Sequence, residues 1–178
     1  SKKMSQKWVF VTCDKSIKHK PKSNLRGTVS ISLSDSNGNK QREINTENMV
    51  MDSMKAVAYN ETYGGKIAKH TPQTLDIEAS HIYCLKNTTN LDGEEKNDLF
   101  GRTMFSSIGF CGREELYSGN SKEKGTYNKA ESKKYVNNNG EYVNHLVYDF
   151  PTHSCNGEIT HIAWGLENLT NCGMFLNQ

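Results

Sequence analysis

The compact motifs that announce chemistry are missing from this 178-residue chain. Its five cysteines, Cys13, Cys84, Cys111, Cys155 and Cys172, are widely and irregularly spaced with no C-x-x-C pair. That argues against a disulfide framework or a zinc finger, and for free thiols in a protein made in a reducing compartment. No apolar run approaches the roughly 20 residues of a membrane-spanning helix, and no secretory leader is visible, so neither a span nor an export address is expected. No G-x-S-x-G elbow is present, and Cys111 in GFCGRE has no identifiable His and acid partners, which favours a structural thiol over a nucleophile. Tyr63-Gly64-Gly65-Lys66 follows a predicted helix, whereas a phosphate-binding loop precedes one. Glu94–Glu95 and Glu114–Glu115 are adjacent in predicted loops and diverge. His145, His153, Cys155 and His161 match no compact zinc pattern. The expectation is a non-enzymatic protein with no cofactor and no metal.

Apolar residues are also scarce, at 34% with a mean hydropathy of −0.76. The deficit is filled by Asn, Ser, Thr and Gly, residues of turns and strand edges, and this points to β structure with many loops. The formal charge of +2 hides an asymmetry: Lys2, Lys3, Lys7, Lys15, Lys18, Lys20, Lys22 and Arg26 are opposed before residue 27 only by Asp14. A nucleic-acid arm is disfavoured there, because Lys outnumbers Arg and only Trp8 and Phe10 offer rings for stacking; docking onto an acidic protein neighbour fits the pattern better. Sequons at Asn60, Asn87 and Asn168 are of the kind that an Asn- and Thr-rich chain produces by chance.

What is present is β patterning. Lys7–Cys13, KWVFVTC, has the composition of a first strand. Val29, Ile31 and Leu33 alternate with small polar residues, Asn37-Gly38 supplies type I′ turn chemistry, and Lys40–Ile44 returns as a hairpin partner. Val50, Met51, Met54, Val57 and Ala58, capped by Asn45 or Thr46, predict one amphipathic helix over about residues 47–60. His81–Leu85 reads as a buried strand, and Leu99–Phe110 as a strand with a bulge. Tyr142–Phe150 is partly apolar on both faces, and Asn156-Gly157 leads to a second apolar run ending at Leu166, which predicts an antiparallel hairpin over Tyr142–Leu166. The expected fold is mainly β, an antiparallel β-sandwich or barrel-like domain with that single helix. Residues 1–26 are expected to form a basic N-terminal strand or arm and 27–178 the β-rich domain.

Three stretches carry a resemblance. Glu47–Met54, ENMVMDSM, resembles the "HNMVTNA"-type segment of bacteriophage tail-fibre, head-fibre and neck-associated structural proteins. Lys124–Ser132, KGTYNKAES, followed by LVYDF at 146–150 and CNGEI at 155–159, resembles their "RGSYN..ES … FVWDF … QANGTI" pattern. Residues 66–120 have no counterpart, and Cys155 replaces the usual small residue before Asn-Gly. The resemblance implies a virion structural protein assembled in the host bacterial cytoplasm, a homo-oligomer contacting portal, neck, tail or capsid proteins, in a region that often precedes a distal receptor-facing part of a longer fibre. It supplies no catalytic residues. Trp8, Phe10, Tyr142, Leu146, Tyr148, Phe150 and Trp164 are the residues expected at the interface. The alternative from the aromatic and amide content is a carbohydrate- or receptor-binding β-sandwich that engages a host-surface glycan.

Overall fold

The computed structural model describes residues 2–10, 26–50, 62–63, 66–67, 81–87, 105–112, 119–165 and 173–177, and among these the regular structure is β throughout. In chain order the strands are β1 (Lys2–Phe10), β2 (Arg26–Ser34), β3 (Lys40–Val50), β4 (Thr62–Tyr63), β5 (Lys66–Ile67), β6 (His81–Asn87), β7 (Phe105–Cys111), β8 (Thr126–Tyr127), β9 (Lys133–Val136), β10 (Tyr142–Phe150), β11 (His161–Gly165) and β12 (Gly173–Asn177). Among the described residues β4 and β5 pair only with each other; the rest run in the order β7-β6-β11-β12-β3-β2-β1-β10-β8, with β9 also on β10.

This continuous path folds over itself at β3. Residues 40–48 of β3 pair with β2, while Met49 and Val50 pair with Leu176 and Phe175 of β12. One layer is therefore β3-β2-β1-β10 with β8 and β9, and the other is β12-β11-β6-β7. The far edges also meet: Phe110 N–H donates to Glu123 O (2.8 Å) and Gly125 N–H to Phe110 O (3.2 Å), just before β8 begins. The result is a sandwich closed along one side in the manner of a barrel, which removes much of its exposed edge.

The core sits between the layers. Met4, Val29, Leu146, Tyr148 and Phe150 from the first pack with Ile82, Cys84, Cys111, Ile162 and Trp164 from the second, and with Cys155 from the connection between them. The period-two alternation of β2 and β10 places these residues on one face. Trp164 Nε1–H donates to Tyr148 Oη at 3.1 Å, a bond that spans the two layers through the core. β10 also buries Val143 and Val147 on its opposite face, at 4% and 3% exposure, as a strand covered on both sides requires.

Three expectations need correction. The helix does not begin at 47: Glu47 and Asn48 extend β3 and pair with Thr28 and Gly27, so cross-strand pairing overrides the three-and-four spacing; residues 51–60 lie outside the described residues. Tyr142–Leu166 is not a hairpin either. β10 pairs with β1, β8 and β9, whereas β11 pairs with β6 and β12, so the two apolar strands belong to different layers and face each other instead of sharing a ladder. Finally, the Asn-Gly turn chemistry is different. Asp35 Oδ1 accepts the N–H groups of Asn37 and Asn39 (both 2.9 Å), Gly38 N–H donates to Asp35 O (3.1 Å), and only Gly38 has positive φ (83°). That is a type I turn closed by a left-handed glycine, and Asn137–Glu141 repeats it around Gly140 (φ 75°) to join β9 to β10.

Candidate functional site

Most of the expected interface lies inside the fold. Leu146, Tyr148, Phe150 and Trp164 are exposed by 3%, 0%, 0% and 0%, and Tyr142 packs partly buried against the same cluster. They hold the layers together. β1 is hydrogen-bonded on both sides, placing Trp8 between Asn144 and Gly27 and Phe10 beside Tyr142 in register; the side chains of Trp8 and Phe10 lie outside the described ones. His145, His153, Cys155 and His161 do not converge, and among the described residues no group of three or more His, Cys, Asp or Glu is placed to hold a metal ion. No helix among those residues is long and apolar enough to cross a membrane.

The KGTYNKAES stretch has a clear physical role. A Cβ on Gly125 would lie 2.8 Å from Asp149 O and 2.9 Å from the Phe150 ring, so only glycine lets this segment approach β10 closely enough for β8 to pair. After β8 the chain turns. Asn128 N–H donates to Val147 O (2.8 Å), Ser132 Oγ donates to Asn128 O (2.6 Å) and accepts Val147 N–H (2.9 Å). Asn128 and Ser132 thus satisfy the β10 backbone in the gap between β8 and β9. The Asn128 side chain donates to Glu131 Oε2 (2.7 Å) and Asp149 Oδ2 (2.8 Å), and Lys3 donates to Glu131 with Asp149 3.9 Å away. The Lys3 ammonium is raised above its ordinary pKa chiefly by the Glu131 hydrogen bond. On the same layer, Arg26 grips Glu141 through two 3.0 Å bonds, and that bond, helped by Asn137, holds the Glu141 carboxyl below the usual range.

Beside this brace lies an open strand. β9 pairs with β10 and has no second strand partner among the described residues, and all four of its residues are exposed. Val136 is 57% exposed and Tyr135 36%, unusually high for large hydrophobic side chains in this fold; Lys133 Nζ sits 5.1 Å from the centre of the Tyr135 ring. Beneath it, His145 is held below the ordinary imidazole range by burial first, then by the Lys7 and Lys133 charges.

A second surface forms at the opposite side of the first layer. Core-facing positions of β2 and β3 run past the end of β11 and are left partly uncovered, so Ile31, Leu33, Ile44 and Arg42 form one wall of a groove of about 380 Å³. Ile159, Thr160, His161 and Ile162 form the other wall, with Lys2 at its floor. Lys2 donates to Cys155 O and to Asn156 Oδ1 (3.0 Å), while Arg42 makes no ion pair among the described residues. The lining among the described residues holds Lys2 and Arg42 and no carboxylate, so it suits an anionic ligand. Sequence reasoning missed this groove because its residues come from four separate segments; the basic character of Lys2 was its only trace. No protein-family model matches the chain, and no curated protein and no solved structure gives a significant match.

Proposed function

We propose that the chain is a non-enzymatic structural component of a bacteriophage virion that works through repeated contacts in a homo-oligomer and with portal, neck, tail or capsid partners. The observation that carries this reading is β9, an open strand edge with Tyr135 and Val136 presented to solvent beside a rigid, hydrogen-bonded brace. Unpaired strand edges recruit further strands, and Lys133 and Lys134 on this edge disfavour a like-charged copy of itself. A head-to-tail contact between β9 and a different surface of the next subunit meets both conditions, and cyclic closure multiplies one modest interface into stable attachment. The resemblance of the stretches at 47–54, 124–132 and 146–159 to fibre- and neck-associated proteins supplies the virion setting. Co-sedimentation of the tagged chain with assembled particles tests it. Retention by particles, lost on Tyr135→Lys with Val136→Lys, supports the proposal; equal retention of the variant refutes the assignment of β9.

The groove favours a second reading, a module that binds an acidic host-surface glycan. Titration with sialylated and uronic-acid oligosaccharides should then show saturable binding that Arg42→Ala weakens at least tenfold. Binding that is absent or indifferent to Arg42 dismisses it.

A further inference from the structure

Cys155 is the one residue other than glycine with positive φ among the described residues, at 55°. The Asn156 side chain reaches back to Thr152 O (2.8 Å), Ser154 N–H bonds Pro151 O (3.0 Å), and Cys155 N–H bonds Lys122 O (2.9 Å), so the connection from β10 to β11 is tightly wound. This winding drives the Cys155 side chain inward, to 0% exposure. It lands on Gly109: a Cβ there would lie 2.4 Å from Cys155 Sγ.

Gly109 is the register partner of Cys84 across β6 and β7. Opposed side chains in an antiparallel pair have Cβ atoms about 4.5–5.5 Å apart. The Cys155 side chain therefore occupies the slot in which residue 109 would face Cys84, beside the register shift between Cys84 and Leu85. Cys84 is itself fully buried, and its thiol donates to Met4 Sδ at 3.3 Å. Cys111, the third described thiol, lies opposite Ile82 and donates to Gly112 O at 3.6 Å.

We propose that Cys84 and Cys155 are a redox-active pair that closes to a reversible cystine, fastening the β10–β11 connection to β6 under a peroxide-class oxidant. Cys155 is the attacking sulfur: the neighbouring Cys84 thiol and the Lys2 charge lower its pKa, whereas burial raises that of Cys84. The Cys155 thiolate attacks one peroxide oxygen, the O–O bond breaks, and hydroxide leaves as water to give a sulfenic acid. The Cys84 thiol then loses its proton as its sulfur displaces the sulfenic oxygen, which leaves as the second water. Two thiols and one peroxide become one disulfide and two waters, with two electrons passing from sulfur to oxygen. Both sulfurs are buried, so the rate follows local opening of residues 151–160. Because Gly157, Ile159 and Thr160 wall the groove, the cystine also stiffens that surface.

The test treats the reduced full-length protein with hydrogen peroxide, then alkylates it in denaturant and maps the peptides by mass spectrometry. The expected result is a Cys84–Cys155 cross-linked peptide, with Cys111 alkylated, formed at least several-fold faster in urea below the unfolding transition. Thiol reductant should restore both thiols. Cys84→Ser and Cys155→Ser, each checked for fold by circular dichroism, should each abolish the cross-link. The proposal is overturned if Cys155 pairs with another cysteine, if it stops at sulfinic acid beside a free Cys84, or if both thiols survive the oxidant.

Discussion

Replacing Gly109 by alanine puts the packing around Cys155 under direct strain. The added methyl would sit 2.4 Å from Cys155 Sγ, 2.7 Å from its Cβ and 3.3 Å from its Cα, where ordinary carbon contacts are about 3.5–4.0 Å. The Cys155 side chain must retreat by more than about 1 Å, yet its N–H is held by Lys122 O and its carbonyl by Lys2. Overpacking of this kind costs about 1–3 kcal/mol, and the fixed backbone places Gly109→Ala near the upper end. For a chain of this size about 2–3 kcal/mol lowers the melting temperature by roughly 5–10 °C. Cys155→Gly alone loses the buried thiol, worth about 1 kcal/mol, and recovers a similar amount because glycine tolerates φ 55°. The double variant should then lie within about 1 kcal/mol of the parent, which gives a coupling near 2 kcal/mol in a urea-denaturation cycle. Additive losses, with coupling below about 0.5 kcal/mol, would refute the placement of Cys155 over Gly109.

Other outcomes follow from the same geometry. Tyr148→Phe removes the Trp164–Tyr148 hydrogen bond between the layers and should cost about 0.5–1.5 kcal/mol in urea denaturation; a neutral result would mean that the layers are not joined there. Asn144 is buried at 2% exposure, and among the described residues neither side-chain amide atom has a hydrogen-bond partner, so Asn144→Leu should be neutral or stabilising by about 1 kcal/mol, and a clear loss of melting temperature would contradict that environment. Burial lowers the pKa of His145 and His161, with Lys7 and Lys133 adding to the effect at His145. Their contribution to stability is therefore complete above the unfolded value of about 6.5 and is lost as pH falls through the folded values. The urea midpoint should drop between about pH 7.5 and 5.5, less so in His161→Gln, and a midpoint that rises on acidification would reverse the assigned sign.

The parts of the fold legible in the sequence are those set by neighbours in the chain. Val29, Ile31 and Leu33 announce β2 by alternation, and Asp35–Asn39 announces the hairpin to β3 even though the Asp35 carboxylate, not a type I′ geometry, closes the turn. What depends on distant strands was hidden. Asn156-Gly157 looks like a hairpin turn, yet whether the next strand joins the same ladder is decided by β1 and β6, which compete for β10 and β11 from remote parts of the chain. Glu47–Val50 reads as helix because nothing local reveals β2 on one side and β12 on the other. The two-sided apolar character of β10 was visible, but its inward side chains serve the core, and the exposed strand beside it is β9, a short strand with two lysines. The KGTYNKAES residues carry a resemblance in the sequence; the close approach of Gly125 to β10 and the bonds of Asn128 and Ser132 to its backbone explain why glycine, asparagine and serine stand where they do.

The native mass of the purified chain, measured by light scattering at micromolar concentrations in physiological salt, tests the central proposal most directly. A stable integer multiple of 20.1 kDa, reduced to the single-chain mass when Tyr135 and Val136 are both replaced by lysine, is the predicted result. A strict 20.1 kDa monomer at every concentration, unaltered by those substitutions, would contradict it.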